Sequence, residues 1–260
     1  MQPGAKEGRY IYCIIGSDRR LTFGPGGIGG RGDQLYTISV DGLAAVVSDS
    51  PIKTYSLATE NLIAHEKAIE EVMKDHTVLP VRFCTIVADD DKVREILGKT
   101  RGELHDLLGA MAGKKELGIK AVFKRAIYNI ILDKYPDIRS LKENAAAAPF
   151  GQTQPLRMEI GRMVESALRE EKERCKDDIL DALSPLAARV KVNNNYGELM
   201  VLSAAFLVAD DKETSFDRRM EQLDAKYGDQ IKLKYVGTLP PFNFVNLVID
   251  TRQSNLVAAA

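Results

Sequence analysis

Tryptophan is absent from the 260 residues, and histidine and cysteine occur three times each. The cysteines, Cys13, Cys84 and Cys175, are odd in number, widely spaced and form no CxxC pair. That pattern excludes a disulfide framework and a zinc knuckle. So few histidines and scattered thiols give no expectation of a dedicated metal site or a cofactor. An excess of one charge is missing too: 36 Lys+Arg stand against 37 Asp+Glu, a formal net charge of −1. No global field draws the chain to nucleic acid or to an anionic membrane, so neither is an expected partner. The longest apolar run, Leu199 to Ala209, falls far short of the roughly 20 residues of a spanning helix. Met1 to Arg9 is polar and carries no apolar h-region, so no secretory signal is expected and a reducing cytoplasm is the expected compartment.

What is present is ordinary globular material. Hydrophobic residues make up 45%, and the length suffices for two domains with a core each. The fold class expected is α+β. Residues 1–112 form an N-terminal α+β domain with a small sheet, and residues 113–260 a ferredoxin-like C-terminal domain with a helical insertion.

In the first domain Arg9 to Ile15 reads as a central strand, apolar on both faces. The glycine-rich Gly24 to Asp33 reads as a loop. Leu35 to Val40 and Leu43 to Ser48 flank Asp41-Gly42, a strong hairpin signal. Thr59 to Lys74 reads as a helix with Leu62, His65, Ile69, Val72 and His76 on one stripe. Val78 to Phe83 reads as a strand, placed at an edge or bulge by Pro80. Asp89 to Met111 reads as a second helix with an acidic start, and Gly109 to Lys115 as the junction.

In the second domain the expected strands are Ile119 to Lys124, Arg189 to Val192, Leu199 to Ala209, Ile231 to Val236 and a final Phe242 to Ile249. Helices are expected over Ile127 to Lys142, Leu156 to Leu183, where Pro185 ends or kinks the helix, and Glu213 to Tyr227. Asn144 to Pro155 reads as a loop. The core order β-α-β-β-α-β is the split βαβ arrangement, which makes the first and last core strands neighbours. Leu199 to Ala209 is apolar on both faces, so its outer side needs a cover: the first domain, the tail after Gly237 or a partner.

Three chemistries can be weighed. Cys84 with His65 or His76 could form a nucleophilic pair, which would make the chain a Cys/His-dependent enzyme. A core histidine bonded to a carbonyl, beside a buried thiol, is the stronger reading. HExxH fails because position 69 is Ile. Phosphate binding at Gly24 to Gly32 lacks GxxxxGK[ST], and in the Gly98-Lys99-Thr100 segment Val93 stands where the first glycine belongs. Lys120, Lys124, Lys232 and Lys234 share one sheet face and could touch RNA phosphates, yet no aromatic accompanies them there, so a solvated face is favoured. Arg169 to Asp178 reads as an exposed, ion-pair-laced helix face. Two apolar, proline-punctuated segments remain: Thr77-Val78-Leu79-Pro80-Val81-Arg82-Phe83, and Gly237 through Val245. Within the latter, Leu239, Pro240, Pro241, Phe242 and Phe244 form a stiff aromatic strap, either closing a core or capturing a hydrophobic protein.

At these residues the chain resembles the gas vesicle protein GvpL/GvpF family. The similarity spans Tyr10 to about Val248. Its landmarks are Gly42-Leu43-Ala44-Ala45-Val46-Val47-Ser48, Ala64-His65-Glu66, Val78 through Phe83, Glu116-Leu117, Ala204-Ala205-Phe206-Leu207-Val208 and Gly237 through Val245. It departs at Cys84, where the family usually has Gly, and at Thr238 and Phe242. The resemblance implies a two-domain α+β protein without enzymatic activity. It also implies a minor component or assembly factor of the gas vesicle that contacts the hydrophobic major shell protein and other accessory proteins, located with the gas vesicle in the cytoplasm. Leu239, Pro240, Pro241, Phe242 and Phe244 are the expected partner-binding residues.

Overall fold

The computed structural model describes residues 6–147, 149, 153–245, 247–250 and 255–258. Among them are seven α-helices and twelve strands in sheets whose registered strand pairs are all antiparallel. By Cα proximity the chain divides into Met1–Glu116 with Thr238–Ala260, and Leu117–Gly237. The segment after Thr238, expected in the second domain, therefore clusters with the first unit. The physical reason lies in Glu116 and in the Val81–Leu247 bridge described below.

The first unit holds β1 (Glu7–Gly16), β2 (Thr22–Pro25), β3 (Gln34–Val40), β4 (Leu43–Pro51), α1 (Thr59–Met73), β5 (Val78–Pro80), β6 (Ile86–Val87), α2 (Asp90–Lys99) and α3 (Arg101–Met111). The sheet order is β2-β3-β4-β1-β5, with β6 also pairing β1. β1 is central, as its two apolar faces predict. Asp41 and Gly42 both take positive φ (49° and 85°), the type I′ geometry that matches strand twist, and Val40 pairs with Leu43 across the turn. β2 runs into the start of the expected loop, at Gly24 and Pro25: four residues beside glycines carry too little apolar alternation to register as a strand.

α1 buries His65, Ala68, Ile69 and Val72 against Tyr10, Tyr12 and Ile15 of β1. The single helix expected over Asp89 to Met111 is two. Thr100 leaves the helical region (φ −109°, ψ 14°), and its N–H and hydroxyl both donate to the Ile96 carbonyl, at 3.1 and 2.8 Å. That back-bond bends the chain and lets α2 bury Val93, Ile96 and Leu97 while α3 buries Leu104, Leu108 and Met111. The strand expected to reach Phe83 ends at Pro80, because Cys84 turns the chain with a positive φ of 66°.

The second unit contains most of β7 (Lys114–Phe123), then α4 (Ile127–Lys134), α5 (Pro136–Ala147), α6 (Thr153–Leu183), β8 (Arg189–Val192), β9 (Met200–Ala209), α7 (Glu213–Tyr227) and most of β10 (Ile231–Leu239). The sheet order is β10-β7-β9-β8, so β7 and β10 are neighbours. Residues 148 and 150–152 of the expected loop Asn144 to Pro155 lie outside the described residues; its flanks, 144–147 and 153–155, are helical. Phe206 of β9 meets Phe216 of α7 edge-on at 5.3 Å between ring centres. Val201 through Val208 are all buried, so the doubly apolar strand is covered within this chain. The Arg169 to Asp178 segment is not wholly a solvated face. Glu171 and Cys175 are buried, and the Glu171 carboxylate accepts from Lys134 and from Arg174 Nε and Nη2 (3.1 and 2.7 Å).

The final strand expected over Phe242 to Ile249 is shorter: β11 (Leu247–Asp250) pairs with β12 (Asn255–Ala258). Pro240 to Val245 forms turns instead. Phe242 N–H donates to the Pro240 carbonyl at 2.6 Å, and Phe244 and Val245 N–H donate to the Pro241 carbonyl at 3.0 and 2.8 Å. Two adjacent prolines supply no donors for a ladder, which favours this closed form over a strand. Glu116, 1% exposed, accepts from the Asn243 backbone N–H at 2.8 Å and from its Nδ2 at 2.6 Å. Glu116→Ala leaves both Asn243 donors without their acceptor and is expected to cost about 2–4 kcal/mol. A fall in the urea midpoint at unchanged slope measures it; a cost near zero contradicts the role.

Candidate functional site

Three sequence segments meet in the first unit, two of them from its N-terminal part and one from after Thr238. Leu62, His65 and Glu66 of α1, Pro80 to Phe83, and Phe242 with Val245 line one cleft of about 400 Å³. Local chemistry sets each wall. Pro80 closes β5, with Leu79 opposite Ile14 and Pro80 opposite Cys13. Beyond it, Val81 N–H donates to the Tyr12 carbonyl at 2.9 Å and Arg82 N–H to the Leu247 carbonyl at 3.0 Å. Val81 and Leu247 form a parallel bridge, which ties the segment after Thr238 to this wall. Arg82 is exposed and Phe83 half-buried.

Beneath the cleft lies a hydrogen-bonded aromatic layer. Cys84 N–H donates to the Tyr10 hydroxyl at 2.9 Å, and that hydroxyl lies 3.1 Å from His65 Nδ1. His65 also has a backbone hydrogen bond to Val81, which favours its protonated form; burial outweighs it and pushes the imidazole down to about 4. Its ring stacks on Tyr12 at 5.7 Å and meets Phe83 edge-on at 5.6 Å. The Tyr12 hydroxyl accepts from Ile28 N–H at 2.7 Å and lies 3.0 Å from Ser48 Oγ. Burial pushes the Tyr12 phenol up to about 12, against the hydrogen bonds from Ser48 and Ile28. His65 is thus a neutral core histidine whose polar atoms are engaged.

The nucleophilic pair is not assembled by these contacts. The Cys84 thiol accepts from Tyr55 N–H at 3.3 Å, His65 faces Tyr10, and His76 meets the Phe23 ring. Cys84 at φ 66° explains why glycine suits the position: the left-handed region costs a side-chain-bearing residue roughly 1–2 kcal/mol. Among the described residues no group of three His, Cys, Asp or Glu side chains could hold a metal, and no helix is long and apolar enough to cross a membrane. Of the lysine face, Lys120, Lys232 and Lys234 are exposed and Lys124 Nζ donates to the Gly228 carbonyl.

Within the strap, Pro240, Pro241 and Phe244 are buried and Leu239 is half-buried. Phe242 projects, 37% exposed. On the opposite wall Leu62 is 40% exposed. Glu66 and Arg82 add one charge of each sign to the rim. Sequence reasoning singled out the strap and the Val78–Phe83 segment separately. It missed that Leu62 faces Phe242, because nothing local links residues so distant along the chain.

The fold matches crystal structures of gas vesicle protein GvpF. The protein from Anabaena sp. PCC7120 superposes with a TM-score of 0.78 at 25% identity, covering 93% of this chain and 99% of that one. Gas vesicle protein F of a Streptomyces species is 30% identical over 240 residues, 91% of this chain and 98% of that protein. Gas vesicle protein F of a Nostoc species is 26% identical over 245 residues, 93% and 99% of the two lengths. The family described as gas vesicle synthesis protein GvpL/GvpF matches residues 8–246. The chain belongs to the GvpL/GvpF family, and its role is a gas-vesicle-related one.

The neutral His65 makes stability depend on pH. Its unfolded value is near 6.5 and its folded value about 4, so in this window the unfolded chain binds the proton first. The stabilisation is complete above about pH 6.5 and is lost as pH falls toward 4, amounting to about 3 kcal/mol at roughly 1.4 kcal/mol per pH unit. Urea midpoints between pH 7 and pH 4.5 should show this slope, and His65→Phe should flatten it. An equal slope in both proteins contradicts the assignment.

Proposed function

We propose that this chain is an accessory protein of gas vesicle assembly that binds the hydrophobic major shell protein through the cleft between Leu62 and Phe242. The observation that carries the reading is Phe242. Its neighbours in the strap are buried or tied to Glu116, while its ring stands at the mouth of a cleft opposite another exposed apolar side chain. An anchored, half-exposed aromatic loses little entropy on contact and suits an apolar partner. A shell subunit that must stay unaggregated until it joins the wall needs its apolar surface covered. A preformed cleft on a folded carrier supplies such cover, and other gas vesicle accessory proteins are the companions in that step. The role belongs with the gas vesicle in the cytoplasm, and no enzymatic step is part of it. The second unit is read as ferredoxin-like, supported by its order β10-β7-β9-β8, which places the fourth core strand beside the first and the third beside the second. On this reading α6 is the first core helix, and α4 and α5 are an insertion that elaborates the plan.

Co-purification with the shell protein tests the binding. Phe242→Ser and Leu62→Ser each remove an apolar anchor of about 2 kcal/mol, roughly 30-fold in affinity. Both side chains are exposed, so the thermal midpoint should stay nearly unchanged. Failure of the parent chain to bind the shell protein, or undiminished binding by both variants, overturns the reading.

A further inference from the structure

Among the described residues, three other than glycine hold the chain at positive φ: Asp41, Cys84 and Thr238. Asp41 is placed there by the two-residue hairpin turn. Cys84 is held there from both sides, its N–H donating to the Tyr10 hydroxyl at 2.9 Å and its thiol accepting from Tyr55 N–H at 3.3 Å. Thr238 has no such local cause. Its φ of 36° falls inside β10 (Ile231–Leu239), where pairing calls for extended backbone, and a β-branched residue at positive φ is an outlier. Its hydroxyl makes no hydrogen bond among the described residues. Lys234 to Thr238 are all exposed, and nothing lies within 4 Å of where a Cβ on Gly237 would project. Packing around Thr238 does not impose this conformation.

The cause lies downstream. Asn243, five residues on, is fixed by Glu116, which accepts from its N–H at 2.8 Å and from its Nδ2 at 2.6 Å. The residues between are stiff. Pro240 and Pro241 have φ locked near about −65°. Leu239 and Pro240 each precede a proline, which confines them to extended torsions. Phe242 N–H closes back on the Pro240 carbonyl at 2.6 Å. Thr238 is therefore the first residue before the prolines with torsional freedom left. Bending the chain from β10 toward the anchor falls to it, and the charge-assisted bonds to Glu116 offset the strain.

We propose that the strap is a sprung latch, with Thr238 as its strained pivot and the Glu116–Asn243 pair as its catch. When the catch opens, Thr238 returns to the extended region, and Phe242, which lies between pivot and catch, leaves the mouth of the cleft. The cleft thus has a closed and an open form. The inference rests on the shell-protein reading only for what the cleft receives; the latch is a property of the chain alone.

A double-mutant cycle on the full chain tests the coupling. Urea unfolding is measured for the parent, Thr238→Gly, Asn243→Ala and the double variant. Glycine tolerates positive φ, and the freedom it adds to the unfolded chain is the same in both backgrounds and cancels. Thr238→Gly should lower the unfolding constant about ten-fold more in the parent than in Asn243→Ala, where the pivot has already relaxed. Glu116→Gln, a milder release of the same catch, is a second background and should give coupling of the same sign. Amide exchange of Phe244 and Val245, whose N–H groups close the strap on the Pro241 carbonyl, reads the opening itself. Thr238→Asn tolerates left-handed backbone without glycine's freedom and should slow both amides about five-fold. Additive effects in both backgrounds, or strap exchange unchanged by Thr238→Asn, overturn the latch. Neither measurement contains the shell protein, so failure of the latch is read apart from failure of shell binding.

Discussion

A carboxylate buried in the first unit, Glu116, governs where the strap goes. It takes both the backbone N–H and the side-chain amide of Asn243, across 127 residues of sequence. Charge-assisted hydrogen bonds to a buried acceptor are among the stronger single contacts a fold can make. They also set direction: with Asn243 fixed and the two prolines turned inward, the intervening Phe242 is the side chain left at the surface. The Val81–Leu247 bridge and the Arg82 bond to Leu247 hold the other end of the same segment. The cleft follows from these constraints together, since neither wall would face the other without them.

The aromatic layer below the cleft answers a different problem. α1 places a histidine where its stripe must be buried, and a buried imidazole is tolerated when neutral and fully hydrogen-bonded. Tyr10 supplies one partner and the backbone at Val81 the other. The same Tyr10 hydroxyl accepts the amide of Cys84, which needs a partner because the chain turns there through a strained left-handed conformation. Helix, strand end and turn are thereby joined by one short chain of hydrogen bonds, and the cleft rests on a rigid base.

How much of this could be read from sequence depends on how local each cause is. The Asp41-Gly42 hairpin was legible because a two-residue turn with positive φ has few alternatives. The burial of His65, Ile69 and Val72 was legible from helical spacing. Thr100 was not, because the break between α2 and α3 comes from a threonine hydroxyl choosing the Ile96 carbonyl, a choice made by packing on both sides. Glu171 looked like one more charge in a solvated run until Lys134 and Arg174 were seen to enclose it. For the site, the residue types of the strap were evident, but which of its five apolar residues would project was not. That depended on Glu116, whose partner lies at the far end of the chain. Leu62 read simply as part of the core stripe and emerges as the surface opposite Phe242.

The proposed function comes down to one claim: that an apolar gas vesicle partner is met at the surface shared by α1, the Pro80–Phe83 segment and the strap. Hydrogen–deuterium exchange on the intact chain, with and without the shell protein, reads that surface directly. The account predicts that protection appears together in residues 62–66, 80–84 and 240–245, three separate segments that line one cleft. Protection confined to other parts of the chain, or none in these three while the proteins are bound, would contradict it.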